Sequence, residues 1–302
     1  MEPPFTHPLI IGPLAPIFWA LMGLLVGSFL NVAIYRLPAE GESIFKPLRS
    51  RCPKCRTSLT WYENIPVLSW LVLRARCKTC KCPIHWRYPL VEALTAFLFW
   101  SAAQSFAGDP LMIGIVALVL SGLVVATFVD FDCFEIPDEV SIGGCILAPV
   151  LSFLVPRLHG VELDRFEAVS ACLLGMAVGG GILYFIGWVG TKVYSVDAMG
   201  FGDVKLVAAG GGFIGAVGVL HGLLIAAVLG SIVGILNMLR LYCELRTRVA
   251  KRHKADSRLR SLQAARLAGR YIPFGPYLAV GIGLGILGWN NDGALLLQYL
   301  LD

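Results

Sequence analysis

The chain has 302 residues, of which 57% are hydrophobic and only 15% charged, with a mean hydropathy of +0.73 and a formal net charge of +5. Soluble domains contain about 25% charged residues, so this composition excludes an ordinary soluble protein and indicates an integral membrane protein. The positive charge is concentrated in two loops, as described below, and therefore gives no reason to expect a nucleic-acid partner.

Long apolar runs predict an all-α polytopic membrane protein with about eight transmembrane helices. Seven of these runs have about 20 residues each, enough to cross about 30 Å of hydrocarbon. They lie near residues 14–35, 89–107, 111–130, 139–156, 167–190, 219–241 and 276–299. A shorter run at 204–217 starts directly after Asp203 and is counted as the eighth helix. No basic segment precedes the first run, so we expect it to be a retained helix rather than a signal peptide.

The basic residues predict how the chain is oriented in the bilayer. Ten Lys and Arg lie between Lys46 and Arg87 and ten between Arg240 and Arg270, whereas only Arg157 and Arg165 fall in the alternate loops. Basic loops face the cytoplasm, so both termini are expected outside. The chain then divides into a first helix at 1–36, a cytoplasmic module at 37–88 and a membrane domain at 89–302. The basic loop 244–270 is expected to form a solvated or membrane-surface helix, attracted by anionic lipid.

Four cysteines in the cytoplasmic module have the spacing of a metal site. Cys52 and Cys55 form one CxxC pair, and Cys77 and Cys80 form a second, with 21 residues between the two pairs. This spacing is typical of a structural zinc ion held by four thiolates, which leaves no open position for a substrate. Disulfides are the alternative, but they are rare in the reducing cytoplasm. Unmetallated thiols also remain open, and Cys82 could compete as a ligand although it breaks the paired spacing.

Acidic residues meet the membrane at two places, and the predicted topology puts both on the cytoplasmic side. Asp130 ends the third apolar run, with four further acids within nine residues, and Asp203 precedes the short eighth run. A carboxylate costs roughly 2.5–3.5 kcal/mol at a bilayer centre, so acids in membrane helices are usually functional or paired. Two carboxylates brought together would share a proton and could hydrolyse a peptide bond without a nucleophilic Ser or Cys. The four further acids are Asp132, Glu135, Asp138 and Glu139, which we expect in a solvated loop.

Residues close to these acids suggest local roles. Gly200 and Gly202 would let an extended peptide approach Asp203. Lys205 either stabilises local charge or extends to the membrane interface, and the sequence does not choose between the two. Glu92 is expected in the first turn of the second helix, where a carboxylate suits the positive end of the helix dipole.

Six ordered motifs resemble the type IV prepilin peptidases, membrane aspartic proteases with a GxGD signature. Beside the two CxxC pairs, the resemblance rests on the following segments: GSFLNVAIYRLP at 27–38, WYENIPVLSW at 61–70, RYPLVE at 87–92, VDFDCFEIPD at 129–138, MGFGDVK at 199–205 and IPFGPYLA at 272–279. The loop 244–270 and the chain between the two acids are longer than the family pattern leads us to expect, and loops can absorb both differences.

The resemblance implies a catalytic dyad of Asp130 and Asp203 in a bacterial inner-membrane enzyme. Such an enzyme removes the short basic leader of prepilins or pseudopilins on the cytoplasmic face, after a glycine, and leaves the hydrophobic helix in the membrane. The resemblance also implies N-methylation of the new terminal residue, commonly phenylalanine, with S-adenosylmethionine as methyl donor. We expect this activity in the loop 37–88, and no spacing in the sequence identifies donor-binding residues.

Three other interpretations remain open at this point. The protein could be a peptidase without methyltransferase activity, or a zinc-stabilised membrane scaffold without catalysis. Asp130 and Asp203 could also serve as a relay in a proton- or cation-coupled transporter, because intramembrane acids have that role too. Clustering of the acids at one face disfavours a transporter, which would need polar residues that reach the midplane.

Overall fold

The computed structural model describes residues 12–39, 51–52, 54–159, 164–194, 199–250 and 273–288. These residues are helical apart from loops, two short 3₁₀ turns and two isolated β-bridges. We number the eight α-helices in chain order: α1 Ala15–Arg36, α2 Leu68–Val72, α3 Arg87–Ser105, α4 Pro110–Cys133, α5 Asp138–Leu154, α6 Arg165–Tyr194, α7 Phe201–Ala250 and α8 Gly275–Ile286. Most of the predicted basic loop, at 251–270, and the second half of the last predicted helix, at 289–299, lie outside the described residues.

Within the part of the chain that the structure describes, four helices are long and apolar enough to cross a membrane, which supports the predicted membrane protein. They are Ala15–Arg36, Pro110–Cys133, Arg165–Val193 and Phe201–Glu244, and α8 is a shorter apolar helix. The larger number of about eight spans stays a prediction. So does the division of the chain at residues 36 and 88.

A break at Gly215 divides α7 into two helical parts. Gly215 has φ 70° and ψ 177°, a backbone conformation that is essentially restricted to glycine. The break lies near the end of the apolar run 204–217, three residues before position 218, where the sequence separates this run from the run 219–241. Asp203 therefore lies in the first turn of the first part of α7, and Gly215 separates this part from the second part.

Helix α4 forms the centre of the core. Its residues Ile113, Val116 and Leu120 are fully buried and belong to one cluster with Leu206 of α7 and Leu278 of α8. Because α4 carries Asp130 at its last turn, this packing fixes the acid relative to the two helices that surround it.

Glycines allow the backbone of α7 to contact the backbones of its neighbours α6 and α8. A Cβ atom built on Gly175 of α6 would lie 2.1 Å from the carbonyl oxygen of Gly211. A Cβ atom built on Gly281 of α8 would lie 2.2 Å from the carbonyl oxygen of Gly222. Small residues of this kind allow close packing of membrane helices, and here they bring α8 against α7.

The cysteine module connects α1 to α3, which are hydrogen-bonded to each other, and the module is itself hydrogen-bonded to α3. The Asn31 side chain of α1 donates a hydrogen bond to the Tyr88 carbonyl of α3, with an N–O distance of 3.1 Å. The Val67 backbone N–H, within the module, donates to the Glu92 carboxylate of α3 at 2.7 Å. These contacts hold the module at the same end of the helices as Arg36 and Arg87.

Candidate active site

Asp130 lies in the last turn of α4, buried, with only 5% of its surface exposed. Its Oδ2 atom accepts a hydrogen bond from the backbone N–H of Gly275 at the start of α8, with an N–O distance of 2.9 Å. A Cβ atom at position 275 would lie 2.7 Å from the same oxygen, so only glycine permits this close approach. The carboxyl group is therefore held by the backbone of another helix.

Asp203 lies in the first turn of α7 and is half-buried. The backbone N–H of Asp203 donates a hydrogen bond to the Gly200 carbonyl, with an N–O distance of 3.2 Å. This hydrogen bond closes the turn that leads into the helix. A Cβ atom at Gly200 would lie 3.6 Å from the Asp203 Oδ2 atom. Because glycine has no side chain, Gly200 leaves the side of the Asp203 carboxyl group that faces it uncovered.

Ile136 connects the surroundings of the two acids. This buried side chain lies 3.2 Å from a Cβ atom built on Gly202 and 3.3 Å from one built on Gly275. The structure therefore brings two acids that are 73 positions apart (203 − 130) to one end of the helices.

The other four acids near Asp130 are exposed, as expected, but only Glu135 lies in the loop, because Asp132 belongs to the last turn of α4 and Asp138 and Glu139 begin α5. Two of them pair with cations. Asp132 receives two hydrogen bonds from one guanidinium nitrogen of Arg87, each 2.7 Å long. Arg87 also donates to the Phe128 carbonyl at 2.6 Å, and its guanidinium group lies 4.8 Å from the centre of the Phe128 ring. Arg87 thereby fixes the turn of α4 that contains Asp130.

Lys205 forms an ion pair with Asp138, at the start of α5. Its ammonium group also lies 5.5 Å from the centre of the Phe201 ring. Of the two roles that the sequence leaves open, stabilisation of local charge fits these contacts. The pair joins the start of α7, two residues beyond Asp203, to the start of α5.

The four predicted cysteine ligands converge within the module. The sulfur atoms of Cys52, Cys55, Cys77 and Cys80 all lie within 4.8 Å of one another, so they could hold one metal ion. Hydrogen bonding with the hydroxyl and the backbone N–H of Thr57 lowers the pKa of the Cys55 thiol to about 6. This thiol is then mostly ionised at neutral pH, the form that binds zinc.

The two CxxC pairs lie in turns of the same construction, and the comparison of these turns indicates the role of Cys82. A β-bridge joins Arg51 to Ser58 around the first pair, and another joins Arg76 to Pro83 around the second. Thr57 and Cys82 occupy equivalent positions: the Thr57 hydroxyl lies 3.3 Å from the Cys55 sulfur, and the Cys82 sulfur lies 3.2 Å from the Cys80 sulfur. Cys82 is thus placed to support a ligand, as Thr57 does, although it is also 3.7 Å from Cys52.

Glu92 differs from the sequence expectation. Helix α3 begins at Arg87, so Glu92 lies in its second turn rather than its first. The side chain is buried and accepts the hydrogen bond from Val67, a β-branched residue with φ 60°. The carboxylate stabilises an unfavourable backbone conformation in the module and does not interact with the end of the helix.

Sequence reasoning missed the roles of Gly275 and Ile136 in this site. Gly275 acts through its backbone N–H and through the absence of a side chain, and Ile136 acts by packing. The only signal for either residue is that each lies in one of the quoted motifs, IPFGPYLA and VDFDCFEIPD.

Comparisons with known proteins agree along most of the chain. Residues 21–106 match a family model described as the bacterial peptidase A24 N-terminal domain, and residues 117–235 match the model of the type IV leader peptidase family. No solved structure matches the chain with significant similarity.

Several curated relatives carry the name prepilin leader peptidase/N-methyltransferase. The relative from Myxococcus xanthus is 42% identical over 237 residues, which cover 78% of this chain and 67% of the relative. The relative from Aeromonas hydrophila is 34% identical, with 90% of each chain covered. That from Neisseria gonorrhoeae is 31% identical, again with 90% of each covered.

Proposed function

Because this chain belongs to the type IV leader peptidase family, we propose that it cleaves the leader peptide from type IV prepilins or pseudopilins and N-methylates the new terminal residue. It is an enzyme, and its relatives carry names for both reactions. The observation that carries the peptidase proposal is the pair Asp130 and Asp203 at one end of the helices, with Ile136 as a common neighbour of the residues around them.

The acid pair supplies the chemistry of peptide hydrolysis. With one proton shared between the two carboxyl groups, the ionised member takes a proton from a water molecule, which attacks the scissile carbonyl carbon. The protonated member then donates to the leaving nitrogen. A hydrogen bond from an N–H group favours the charged form of a carboxyl group, so we assign water activation to Asp130, which accepts from Gly275, and proton donation to Asp203.

The substrate backbone must reach both acids to be cut. Gly200 leaves space on the α7 side, because it faces the Asp203 carboxyl group and has no side chain, whereas Gly202 packs against Ile136. An extended peptide can approach such a surface closely. This arrangement supports cleavage of an unfolded segment, as expected for a leader peptide next to a membrane helix.

We assign a structural Zn²⁺ to Cys52, Cys55, Cys77 and Cys80. Four converging thiols suit tetrahedral zinc, whose sulfur ligands lie about 2.3 Å from the metal. Four protein ligands close the coordination sphere, so the metal would stabilise the module. Loss of zinc should consequently unfold the module before it affects the membrane helices.

The methyltransferase reaction follows from the family and requires S-adenosylmethionine. The module has a cleft of about 450 Å³ beside Cys77, lined by four cations: Arg74, Arg76, Lys78 and Lys81. A donor that carries a positive sulfonium and a positive ammonium group does not fit such a lining. We therefore assign no donor-binding residues and derive no step through this cofactor.

We further infer a location in the bacterial inner membrane, with about eight spans. Both acids, Arg87 and the module occupy one end of the helices, and the Lys and Arg excess of the loops at this end supports a cytoplasmic active site. Both termini would then be outside. Prepilin substrates reach the site laterally in the bilayer, with their basic leader in the cytoplasm.

Reconstitution of the protein tests the whole assignment. Purified wild-type protein in liposomes is mixed with a prepilin and labelled S-adenosylmethionine, and the product is analysed by mass spectrometry. The proposal predicts loss of the leader together with one labelled methyl group on the new terminus. A cleaved but unlabelled product would restrict the function to the peptidase, and an intact prepilin would refute the proposed function.

A further inference from the structure

The cleft of about 450 Å³ in the cysteine module lies at the turn around the second CxxC pair. Four of its six lining residues are exposed cations, and none of the six is an acid. Within the part of the chain that the structure describes, none of these four cations forms an ion pair with an aspartate or a glutamate. The cleft is therefore suited to an anion. Its lining consists of Leu73, Arg74, Arg76, Cys77, Lys78 and Lys81.

The first CxxC turn has cations at equivalent positions, but they do not line this cleft. Arg51 and Arg76 each form the β-bridge at the start of their turn. Arg56 and Lys81 each follow the second cysteine of their pair, with φ of 56° and 57°. The second turn differs because the segment that follows α2 adds Arg74 to it. A zinc ion with four thiolates would carry a net charge of about −2 shared by both turns, which leaves positive charge in excess at the cleft.

Three hydrogen bonds hold α2 and the second turn together. The Trp70 indole N–H donates to the Ile84 carbonyl at 3.2 Å. The Ile84 backbone N–H donates to the Ala75 carbonyl at 2.7 Å, and the Ala75 backbone N–H donates to the Trp70 carbonyl at 2.8 Å. Arg74 and Ala75, at the bend between α2 and the turn, have φ of 52° and 57°, an unfavourable conformation that persists only where its surroundings enforce it. Helix α2 and the cleft thus belong to one packed unit.

Helix α2 presents three apolar side chains that are largely uncovered. Leu68 is 59% exposed, Leu71 57% and Val72 79%. Removal of such side chains from water is favourable, so α2 suits a medium less polar than water. Apolar side chains followed directly by cations are the composition of a surface that lies in a membrane interface.

Contacts of the module place α2 at the level of such an interface. The Val67 backbone N–H, directly before α2, donates to the Glu92 carboxylate. Glu92 lies about 7.5 Å along α3 from Arg87, at about 1.5 Å per helical residue. The start of α3 lies beside the last turns of α1, a helix long enough to span a membrane, because Asn31 donates to the Tyr88 carbonyl. Helix α2 therefore begins beside the first turns of α3, where lipid headgroups would meet acyl chains.

We propose that α2 and the cation-lined cleft form a docking surface for anionic phospholipid. The apolar side chains of α2 enter the acyl region, and Arg74, Arg76 and Lys81 bind headgroup phosphates. Charge complementarity selects this occupant, because cations at a membrane surface attract anionic lipid, and a phospholipid supplies a partner for both parts of the surface. The inference goes beyond the proposed function and does not involve the two acids. Docking would hold the module and the start of α3 at a fixed depth.

Amide hydrogen exchange of the full-length protein in nanodiscs tests the docking. One set of nanodiscs contains phosphatidylcholine alone, and the other contains equal parts of phosphatidylcholine and phosphatidylglycerol with the same acyl chains. We expect exchange in residues 68–82 of wild-type protein to slow at least about fivefold with phosphatidylglycerol, which is the contribution of a single Lys or Arg near an anionic membrane surface. Equal exchange in the two sets of nanodiscs would overturn the proposal.

Two double variants compare the two turns. Arg76→Gln with Lys81→Gln removes two cations from the cleft and should bring the ratio of exchange rates between the nanodiscs close to one. The matched control, Arg51→Gln with Arg56→Gln, removes the same charge at the equivalent positions of the first turn and should keep the wild-type ratio. Equal loss in both double variants would show an effect of net charge alone and contradict a site at the second turn.

Two further conditions use wild-type protein and do not depend on the folding of a variant. Raising the salt concentration from about 0.1 M to about 1 M shortens the Debye length from about 10 Å to about 3 Å and should remove most of the slowing. Slowing that is insensitive to salt would contradict binding of headgroups by the cations. Inorganic phosphate added to phosphatidylcholine nanodiscs should leave exchange unchanged, and equal slowing with phosphate would assign the cleft to a free anion and overturn lipid docking. No prepilin is present, so the result is independent of the proposed function.

Discussion

At the scale of single residues, the site depends on backbone groups as much as on the two acids. Asp130 is buried, and its hydrogen bond comes from the backbone of Gly275. An aspartate at the end of an apolar run can be found in a sequence because its charge is costly there. The donor cannot be found in this way, because every residue except proline has a backbone N–H.

Lys205 illustrates what three-dimensional contacts add at this scale. From the sequence, a lysine at the start of a membrane helix fits either a charge pair or an extension to the interface. Its partner Asp138 is 67 residues away in the chain, so no local pattern identifies the pair. We infer from this contact that Lys205 positions Asp203, because the ion pair attaches the start of α7 to the start of α5.

Replacement of Lys205 tests this positioning role. Lys205→Met should lower kcat for leader cleavage about tenfold, because displacement of a catalytic group by about 1 Å can cost up to about 100-fold. Lys205→Arg retains the charge and should keep most of the activity. The free energy of unfolding should change by less than about 1 kcal/mol in both variants, since the Asp138 side chain is 63% exposed.

Cleavage kinetics and thermal unfolding together decide the role of Lys205. Unchanged kcat in Lys205→Met would show that the ion pair does not position Asp203. Equal loss of kcat in the Met and Arg variants would argue against a role that depends on charge.

At the scale of elements, the sequence predicts the positions of the described helices better than the contacts between them. Apolar runs indicate α1 and α3–α8, and they place the break in α7 within a few residues of Gly215. Glu92 is the exception, because its partner is the backbone of Val67 in a distant turn, which no periodic pattern reveals. The paired turns of the cysteine module are predictable from the two CxxC pairs, whereas the equivalence of Cys82 with Thr57 needs the structure.

The equivalence of the two turns predicts how cysteine variants affect the metal. Purified wild-type protein should contain about one zinc ion per chain. Serine variants of Cys52, Cys55, Cys77 and Cys80 should lose it, because each removes one of four thiolate ligands. Cys82→Thr should keep the metal, since it reproduces the residue found at the equivalent position of the first turn. Metal analysis and protease sensitivity of the module measure both effects.

Two results would contradict the assignment of the ligands. Loss of zinc from Cys82→Thr with retention in Cys80→Ser would move the fourth ligand to Cys82. A metal-free wild-type protein with a folded module would exclude a structural zinc site.

At the scale of the whole molecule, packing around α4 turns two distant chain positions into one site. The sequence predicts that Asp130 and Asp203 meet the membrane on the same side, because basic loops orient the intervening helices. It does not predict that the surroundings of both acids meet at Ile136, an arrangement that depends on the approach of α7 to α6 and α8 through Gly175 and Gly281. The reason is physical: helices with apolar faces all round can pack in several arrangements, and small residues select among them.

Cleavage by variants of the acid pair tests the central claim most directly. Wild-type protein, Asp130→Asn, Asp203→Asn and the control Glu135→Gln are reconstituted separately, and the rate of leader removal from a prepilin is measured. Asparagine keeps the size of the side chain but can neither take up nor supply the shared proton, so each asparagine variant should lose at least about a hundredfold in kcat. Glu135 is an exposed acid close to Asp130, and its glutamine variant should cleave at the wild-type rate. Cleavage at the wild-type rate by either asparagine variant would contradict the assignment of Asp130 and Asp203 as the catalytic pair.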